Sequence, residues 1–306
     1  SIVVILPSLK YIHRVKLKNL NIGRALFGSL VFFIALIFSS IYLQLNKTIL
    51  GVLSSGTAQN GYYEQALKMV QLVTSIIASF SSIMISRESY LFSHGKIDEA
   101  KKNIHKALNL MLLLSIPAVV GLALVGDMAI SSFFGDEFEP ATKSLYALLF
   151  YIMVSPISQL VISAYYIPTK QRGKTNWMTI SAAVVDLILC VLLIPSLGAV
   201  GASISLSAAQ VILLLCLGYY SRKFIDWKTV ISKYTIKPID AALLMGLFLF
   251  VFLWLSPLSR TWDIVISIVA GVTIYFGLLL LFKESLISFY TRFYLGKITK
   301  RLAKKA

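Results

Sequence analysis

Seven polar side chains recur at helical spacing in an otherwise apolar stretch that begins near residue 62. They follow one another in steps of 4, 3, 4, 4, 3 and 4 residues, which places all of them on one face of a helix. The face carries Glu64, Lys68, Gln71, Ser75, Ser79, Ser82 and Ser86. Ammonium, amide and hydroxyl groups in this arrangement can hydrogen-bond a polar solute, so the pattern predicts a helix that lines a wet cavity.

This polar face has one structural alternative. Serines are common where membrane helices pack together, so a serine-rich seam between two helices would give a similar pattern. Lys68 and Gln71 favour the cavity over the seam, because a cation and an amide inside a membrane need water or polar partners. Glu64 and Lys68 are four residues apart and are therefore expected to be able to form an ion pair.

Two later apolar stretches carry weaker polar stripes that can face the same cavity. Their polar residues are Tyr151, Ser155, Gln159, Ser163 and Tyr166 in the first, and Ser203, Ser207 and Gln210 in the second. Gln159 and Gln210 are the candidate cavity residues from these stretches.

Asp186 is an isolated acidic residue within an apolar stretch that starts near residue 177. It lies roughly 13 Å into that stretch at the rise of a helix, close to the middle of a bilayer. An ionisable group at this depth is a candidate for ion coupling. The equally weighted alternative is a protonated or hydrogen-bonded structural aspartate that a neighbouring helix satisfies.

Residue patterns typical of enzymes and metalloproteins are absent from the sequence. It has no phosphate-binding glycine loop and no metal-ligand spacing. The histidines His13, His94 and His105 fall between the apolar runs, and Cys190 and Cys216 lie within them without paired spacing. The sequence therefore predicts no catalytic residues, no metal and no cofactor, and a transporter rather than an enzyme.

These polar residues sit in a chain whose composition is that of an integral membrane protein. Hydrophobic residues make up 58% of the 306 residues and charged residues 14%, against about 25% charged in soluble domains. About eight runs are long enough to cross the hydrocarbon core as helices. The runs are 25–45, 62–86, 107–131, 144–167, 177–194, 198–220, 239–257 and 262–282.

The net charge of +16 is explained by membrane topology. If the eight runs alternate in direction, 25 of the 29 Lys and Arg residues fall on one side, against Lys47, Lys143 and Arg260 on the other. The side with the excess is cytoplasmic by the positive-inside rule. The count therefore predicts that both ends of the sequence are cytoplasmic. It also accounts for the positive net charge without a nucleic-acid partner.

Small residues and a proline predict how two of the helices meet. Pro195 is expected to close one span. Gly201, Ser205 and Ala209 follow at four-residue spacing along the next span, which predicts a close approach of two helix backbones.

Three local strings resemble those of the bacterial polysaccharide flippases. These are Gly61-Tyr-Tyr-Glu-Gln-Ala-Leu-Lys68, Phe134-Gly-Asp-Glu-Phe138, and Ile194-Pro-Ser-Leu-Gly198 with Gly201-Ala202. They occur in the order and on the loop sides found in that family, and the resemblance extends from about residue 20 to 282. The family transports lipid-linked oligosaccharides and belongs to the superfamily of multidrug, oligosaccharidyl-lipid and polysaccharide exporters.

The resemblance implies an all-α fold with two six-helix lobes around a central cavity, of which this sequence is similar to the C-terminal part. Residues 1–24 would then be the end of a preceding transmembrane helix and a basic cytoplasmic segment, and 25–220 the six-helix second lobe. Residues 239–282 would be an added helix pair, and 283–306 a basic amphipathic cytoplasmic tail.

The resemblance also implies a function. Family members move an undecaprenyl-diphosphate-linked oligosaccharide repeat across the bacterial cytoplasmic membrane by alternating access, for surface polysaccharide biosynthesis. Expected partners are this substrate, membrane lipids, a proton or sodium ion, and polysaccharide polymerases and glycosyltransferases. Members commonly have a neutral amide where this sequence has Asp186. The alternatives are a multidrug or metabolite exporter, a flippase for the peptidoglycan lipid precursor, and, less favoured, a membrane-embedded glycosyltransferase or polymerase.

Overall fold

The structure is a computed structural model that describes a defined part of the chain. The described residues are 44–54, 56, 58–256, 259–282 and 284. The chain divides into two compact units, Ser1–Gln44 and Leu45–Ala306. All helices named here lie in the second unit. Its described residues form helices and turns without a β-strand, so the predicted all-α fold is confirmed.

Nine α-helical segments follow one another in the described part of the second unit. Their bounds are 45–53 (α1), Ala58–Ser93 (α2), Ile97–Phe134 (α3), Ala141–Val161 (α4), Arg172–Leu197 (α5), Ala199–Ser221 (α6), Trp227–Tyr234 (α7), Ile236–Leu255 (α8) and Arg260–Leu281 (α9). Helix α4 continues as a π-helical turn over Ile162–Tyr166, and a 3₁₀ turn over Asp136–Phe138 precedes α4.

Seven of the described helical stretches are long and apolar enough to cross a membrane. They coincide with seven of the eight predicted spans, those from 62–86 to 262–282. The remaining predicted span, 25–45, lies almost wholly outside the described residues, as do the segment 1–24 and nearly all of the tail 283–306.

The end of α5 differs from the prediction. Pro195 lies inside the helix, which continues to Leu197. Proline removes only its own N–H donor, so the residues after it can still complete the helix. The helix ends instead at Gly198, whose φ of +55° is a conformation that residues with a side chain rarely adopt.

The predicted close approach of two helix backbones is present between α5 and α6. A Cβ atom placed on Gly201 would lie 2.6 Å from the carbonyl oxygen of Leu193. Ser205 and Ala209, on the same face of α6, are fully buried. Because only hydrogen fits at residue 201, the two helices can pack with their backbones in contact.

Helices α8 and α9 pack against one side of α3. A Cβ atom on Gly246 of α8 would lie 2.8 Å from Val120 of α3, and the Tyr275 hydroxyl of α9 donates to the Leu113 carbonyl oxygen at 2.8 Å. The outer faces of both helices expose large apolar side chains such as Leu247 and Trp254. These faces are suited to contact with lipid.

Candidate functional site

The polar stripe of α2 lies on one exposed face of the helix. Lys68, Gln71 and Ser75 are exposed, and Glu64 is partly exposed. Ser79, Ser82 and Ser86 are exposed as well. Across the part of the chain that the structure describes, no helix covers this face, so it is not a packing seam there.

The opposite side of α2 explains why the stripe faces outward. Tyr63, Val70, Thr74 and Ile77 are buried on that side, where α2 packs on α4 and α3. Burial of the apolar side fixes the rotation of the helix about its axis. The exposed polar residues therefore keep one direction along several turns of α2.

An apolar ridge runs beside the polar stripe. Leu72, Ile76 and Ile83 are 62%, 69% and 71% exposed. At 3.6 residues per turn they lie roughly 60–100° around the helix from the centre of the stripe. The uncovered surface of α2 thus offers hydrogen-bonding groups next to a track of aliphatic side chains.

A cluster of three charges lies at the start of the stripe. The Oε1 atom of Glu64 is 3.4 Å from the Nζ atom of Lys68 and 3.4 Å from the Nζ atom of Lys47. The pairing expected for Glu64 and Lys68 is present. One carboxylate is shared by two ammonium groups, so the cluster keeps one net positive charge at the exposed face.

Sequence reasoning missed the contribution of Lys47 to this cluster. That residue lies 17 positions before Glu64 and in a separate helix, α1. No periodicity links residues across a helix hairpin, so only the packing of α1 on α2 brings the two together.

The hydroxyls of the two weaker stripes serve mainly as packing contacts. The Ser207 hydroxyl donates to the Ala147 carbonyl oxygen at 2.8 Å, and the Tyr166 hydroxyl donates to that of Leu217 at 3.0 Å. Both bonds join α6 to the segment that begins with α4. Because these two hydroxyls donate hydrogen bonds between helices, they are not available to form a continuous polar face.

The two glutamines of these stripes differ from their hydroxyl neighbours. Gln159 is exposed and Gln210 is partly exposed. Both remain candidate cavity residues, while Tyr151, Ser163 and Ser203 are buried.

Asp186 lies in a buried polar cluster between helices and is 1% exposed. The side chain of Asn46 in α1 lies beside the Asp186 carboxyl and the Tyr63 hydroxyl, and its buried Nδ2 atom has no hydrogen-bond partner among the described residues. The Cys190 thiol donates weakly to Asp186 Oδ1 at 3.8 Å, and Ser205 of α6 lies beside that thiol. Four helices, α1, α2, α5 and α6, therefore meet at this carboxyl.

The geometry around Asp186 is that of an enclosed site rather than a cavity wall. A carboxylate, an amide oxygen and a hydroxyl are the oxygen ligands that small cations prefer, and the same groups can satisfy a structural carboxyl. Among the described residues, no group of three or more His, Cys, Asp or Glu side chains is placed to hold a metal ion. Asn46 and Tyr63 were missed by sequence reasoning, since both belong to other helices.

Glu88 is a second buried carboxyl that sequence reasoning missed. It is 0% exposed and lies next to Asn103 of α3, which also accepts a hydrogen bond from Arg87 at 3.4 Å. The predicted span stopped at residue 86, but α2 continues to Ser93. Glu88 was therefore counted among loop residues, although the helix carries it into the interface with α3.

Two of the three strings that carried the family resemblance contact each other at one end of the bundle, and the third lies next to Gln59, just before the first. The rings of Tyr62 and Phe138 contact edge to face with centroids 6.3 Å apart. The Oε1 atom of Gln59 accepts a hydrogen bond from the Ala199 backbone N–H at 2.9 Å. Beside them, Arg260 Nη1 is 2.6 Å from Asp136 Oδ1. The strings thus form one contact region, although they are distant in sequence.

The chain has the features of a multi-pass membrane protein. Its described part has seven long apolar helices, close backbone contacts between helices and an exposed polar face. A family model described as "Polysaccharide biosynthesis protein" matches residues 1–143. The chain is 24% identical over 223 residues to the probable low-salt glycan biosynthesis flippase Agl15 of Haloferax volcanii. That match covers 73% of this chain and 47% of the relative, so the chain spans about half the length of the curated relative it matches.

A solved structure has a similar fold. The structure titled "Lipid II flippase MurJ, inward closed conformation" matches with a TM-score of 0.73 and 20% sequence identity, over 94% of this chain and 60% of that one. This likeness shows the fold, while the family model and the curated relative support the resemblance to the polysaccharide flippases. The named relatives are flippases, which is consistent with a transporter rather than an enzyme.

Proposed function

We propose that this chain is the C-terminal part of a flippase for undecaprenyl-diphosphate-linked oligosaccharide repeats. In this proposal 1–24 is the end of a preceding transmembrane helix and a basic cytoplasmic segment, and 25–220 is the second six-helix lobe. Residues 239–282 are an added helix pair, and 283–306 is a basic amphipathic cytoplasmic tail. The flippase acts by alternating access in the bacterial cytoplasmic membrane and supplies surface polysaccharide biosynthesis. The observation that carries the proposal is the exposed face of α2, where a polar stripe and an apolar ridge run side by side.

The polar stripe suits the headgroup of such a substrate. A sugar presents many hydroxyls, which Gln71 and the exposed serines can hydrogen-bond. Transport requires each contact to be weak enough to release, and neutral hydrogen bonds to amides and hydroxyls contribute only about 1 kcal/mol each. A stripe of such groups therefore lets the headgroup move along α2 without being bound tightly at any one position.

The charge cluster suits the diphosphate. Lys68 is half exposed, with 50% of its side chain accessible, and among the described residues its ammonium group forms an ion pair with Glu64 alone. A diphosphate oxygen forms a shorter and stronger charge-assisted bond than a neutral acceptor does. Because Lys47 also contacts Glu64, Lys68 can turn to an anion without leaving the carboxylate unpaired.

The apolar ridge suits the polyprenyl chain. Leu72, Ile76 and Ile83 present aliphatic surface beside the stripe, and burying such surface contributes roughly 25 cal/mol per Å². The same net positive charge disfavours a cationic drug as the substrate. This difference supports a lipid-linked diphosphate over a multidrug exporter.

We further propose that Asp186 couples transport to a proton or sodium gradient. Its carboxyl lies in a cluster to which four helices contribute side chains, so a change in its protonation or ligation can alter the contacts within that cluster. Ion binding that favours one arrangement of the helices shifts the balance between inward and outward states. Glycosyltransferases that build the repeat and a polymerase that consumes it are the partners that this function requires.

The experiment that tests the function uses Lys68→Ala and Gln71→Leu in the full protein. Each variant is expressed in cells that lack the native gene, and exported polysaccharide and membrane protein level are both measured. Loss of a charge-assisted contact is expected to lower export about tenfold or more in Lys68→Ala, at an unchanged protein level. Lys143→Ala, an exposed lysine at the start of α4, is the matched control and should export normally.

Normal export by both Lys68→Ala and Gln71→Leu would contradict the assignment of the α2 face. Purified protein in vesicles then tests the substrate directly. A labelled undecaprenyl-diphosphate sugar should reach the opposite leaflet faster with the native protein than with Lys68→Ala. A native rate no faster than that of protein-free vesicles would remove the flippase proposal itself.

A further inference from the structure

A short amphipathic helix lies between two spans at the end of the bundle where α6 stops. Helix α7, Trp227–Tyr234, follows a turn over 222–226 and precedes α8. Helix α8 alone has 20 residues, which is enough to cross about 30 Å of hydrocarbon. Helix α7 is therefore not needed for crossing the membrane and is available for another role.

One side of α7 is fixed to the bundle. Val230 and Ile225 are 3% and 1% exposed. The Trp227 indole N–H donates to the Ser221 hydroxyl at 3.1 Å, and its ring lies 3.5 Å from a Cβ position on Gly218. These contacts hold the helix against α6 and set which residues point away from the protein.

The start of α7 is capped by Asp226. Its Oδ1 atom accepts a hydrogen bond from the Thr229 backbone N–H at 3.3 Å, and its Oδ2 atom accepts one from the Thr229 hydroxyl at 2.5 Å. The hydrogen bonds from Thr229 lower the pKa of the Asp226 carboxyl. This carboxylate therefore caps its own helix, and the Asp226 backbone N–H donates to His105 Nε2 at 3.3 Å.

The exposed part of α7 carries two lysines and one apolar side chain, which lie on different flanks of the helix at 3.6 residues per turn. Lys228 and Lys233 are exposed, and Ile231 is 66% exposed. At the adjoining end of α6, Lys223 and Arg222 are exposed as well. The Arg222 guanidinium lies 4.2 Å from the centre of the Tyr219 ring, a cation–π contact that holds it in place. We name these six residues, Tyr219, Arg222, Lys223, Lys228, Ile231 and Lys233, the basic corner.

We propose that the basic corner binds the phosphate headgroups of anionic phospholipids of the phosphatidylglycerol class. Four cations face outward at the level where two apolar spans end, which is where lipid phosphates lie. Exposed Tyr219 has the amphipathic character favoured at that level, and Ile231 can enter the boundary of the acyl chains as interfacial helices do. This inference does not depend on which substrate the protein transports.

The test uses Trp227 as a reporter inside the basic corner. The sequence has four tryptophans, and the other three, Trp177, Trp254 and Trp262, are all more than 60% exposed, so their replacement by Phe should be tolerated. The Trp227-only protein is reconstituted in phosphatidylcholine vesicles. Fluorescence quenching is then compared for brominated phosphatidylglycerol and brominated phosphatidylcholine at equal mole fractions.

We expect phosphatidylglycerol to quench Trp227 with at least fivefold preference over phosphatidylcholine at low salt. Lys228→Gln and Lys233→Gln should each lower this preference about fivefold, the loss that corresponds to one cation near an anionic surface. Lys143→Gln, at the opposite end of the bundle, should leave the preference unchanged. A Trp254-only protein reports on the far end of α8 and should show equal quenching by both lipids.

Equal quenching of Trp227 by the two lipids would overturn the proposal. A preference that survives both Lys→Gln changes would also overturn it, because the cations would then not be responsible. Quenching by a brominated undecaprenyl diphosphate, but not by phosphatidylglycerol, would reassign the basic corner to the transported substrate. In each case the export measured for Lys68→Ala is unaffected, so the two proposals fail separately.

Discussion

The Oε1 atom of Gln59 accepts a hydrogen bond of 2.9 Å from the backbone N–H of Ala199, 140 residues later in the chain. Ala199 is the first residue of α6, and the residue before it, Gly198, has no side chain that could cap the helix. The first N–H groups of a helix have no partner within the helix. Gln59, at the start of α2, therefore caps α6 and links α2 to the turn between α5 and α6.

Replacing Gln59 tests this long-range cap. Gln59→Leu removes the acceptor and is expected to lower stability by about 1 kcal/mol, as loss of a cap does. The melting temperature of the purified protein in a mild detergent measures the change. Gln59→Glu keeps an acceptor at the positive end of the helix dipole and should melt near the native protein. Equal melting of Gln59→Leu and the native protein would show that water replaces the cap.

Replacing Gly201 tests the backbone contact between α5 and α6. The Cβ atom of Gly201→Ala would lie 2.6 Å from the Leu193 carbonyl oxygen, so the helices must move apart. Overpacking of this kind usually costs about 1–3 kcal/mol, which should appear as a lower melting temperature. Gly173→Ala in α5 is the control, because its Cβ position has nothing within 4 Å. An unchanged melting temperature for Gly201→Ala would contradict the contact.

Removing the shared carboxylate tests the charge cluster of α2. Glu64→Gln leaves Lys47 and Lys68 without their common partner and raises the net charge of the cluster by one. Binding of undecaprenyl diphosphate to the detergent-solubilised protein should become several-fold tighter and more sensitive to salt. Lys68→Gln should have the opposite effect on the dissociation constant. If both variants bind as the native protein does, the cluster is not in contact with the diphosphate.

Replacing Asp186 separates its two roles. Asp186→Asn keeps hydrogen-bonding capacity toward Asn46 and Tyr63 but cannot bind a proton or carry a charge. If Asp186 couples transport, flipping in vesicles should lose its dependence on a proton or sodium gradient while the protein remains folded. Asp127→Asn, at an exposed position of α3, is the control. Unchanged gradient dependence in Asp186→Asn would assign the carboxyl a structural role only.

Local features of the sequence were enough to predict the helices and one exposed polar face. Apolar runs of about 20 residues predict spans because the bilayer has a fixed thickness, and all seven predicted spans from residue 62 onward are present as helices. The spacing of Lys68, Gln71 and Ser75 determined that they share a face, since side-chain direction along a helix depends only on residue number. The Glu64–Lys68 pair follows from the same rule.

Helix boundaries and contacts between helices could not be predicted in the same way. Helix α2 continues past the apolar run to Ser93, because polar residues such as Arg87 and Glu88 can extend a helix beyond hydrocarbon. Pro195 does not end α5, because the positive φ of Gly198 does. Both outcomes depend on what the neighbouring helices offer to the backbone.

The sequence by itself determined which residues are helical and which of them share a face. Only the tertiary structure decided that Lys47 shares the carboxylate of Glu64, that Asn46 and Tyr63 enclose Asp186, and that Gln59 caps α6. Each of these contacts joins residues from different helices. Helical periodicity fixes directions within one helix, and small-residue spacing can mark a face that packs closely. Which side chains of two helices meet is set by their packing in three dimensions.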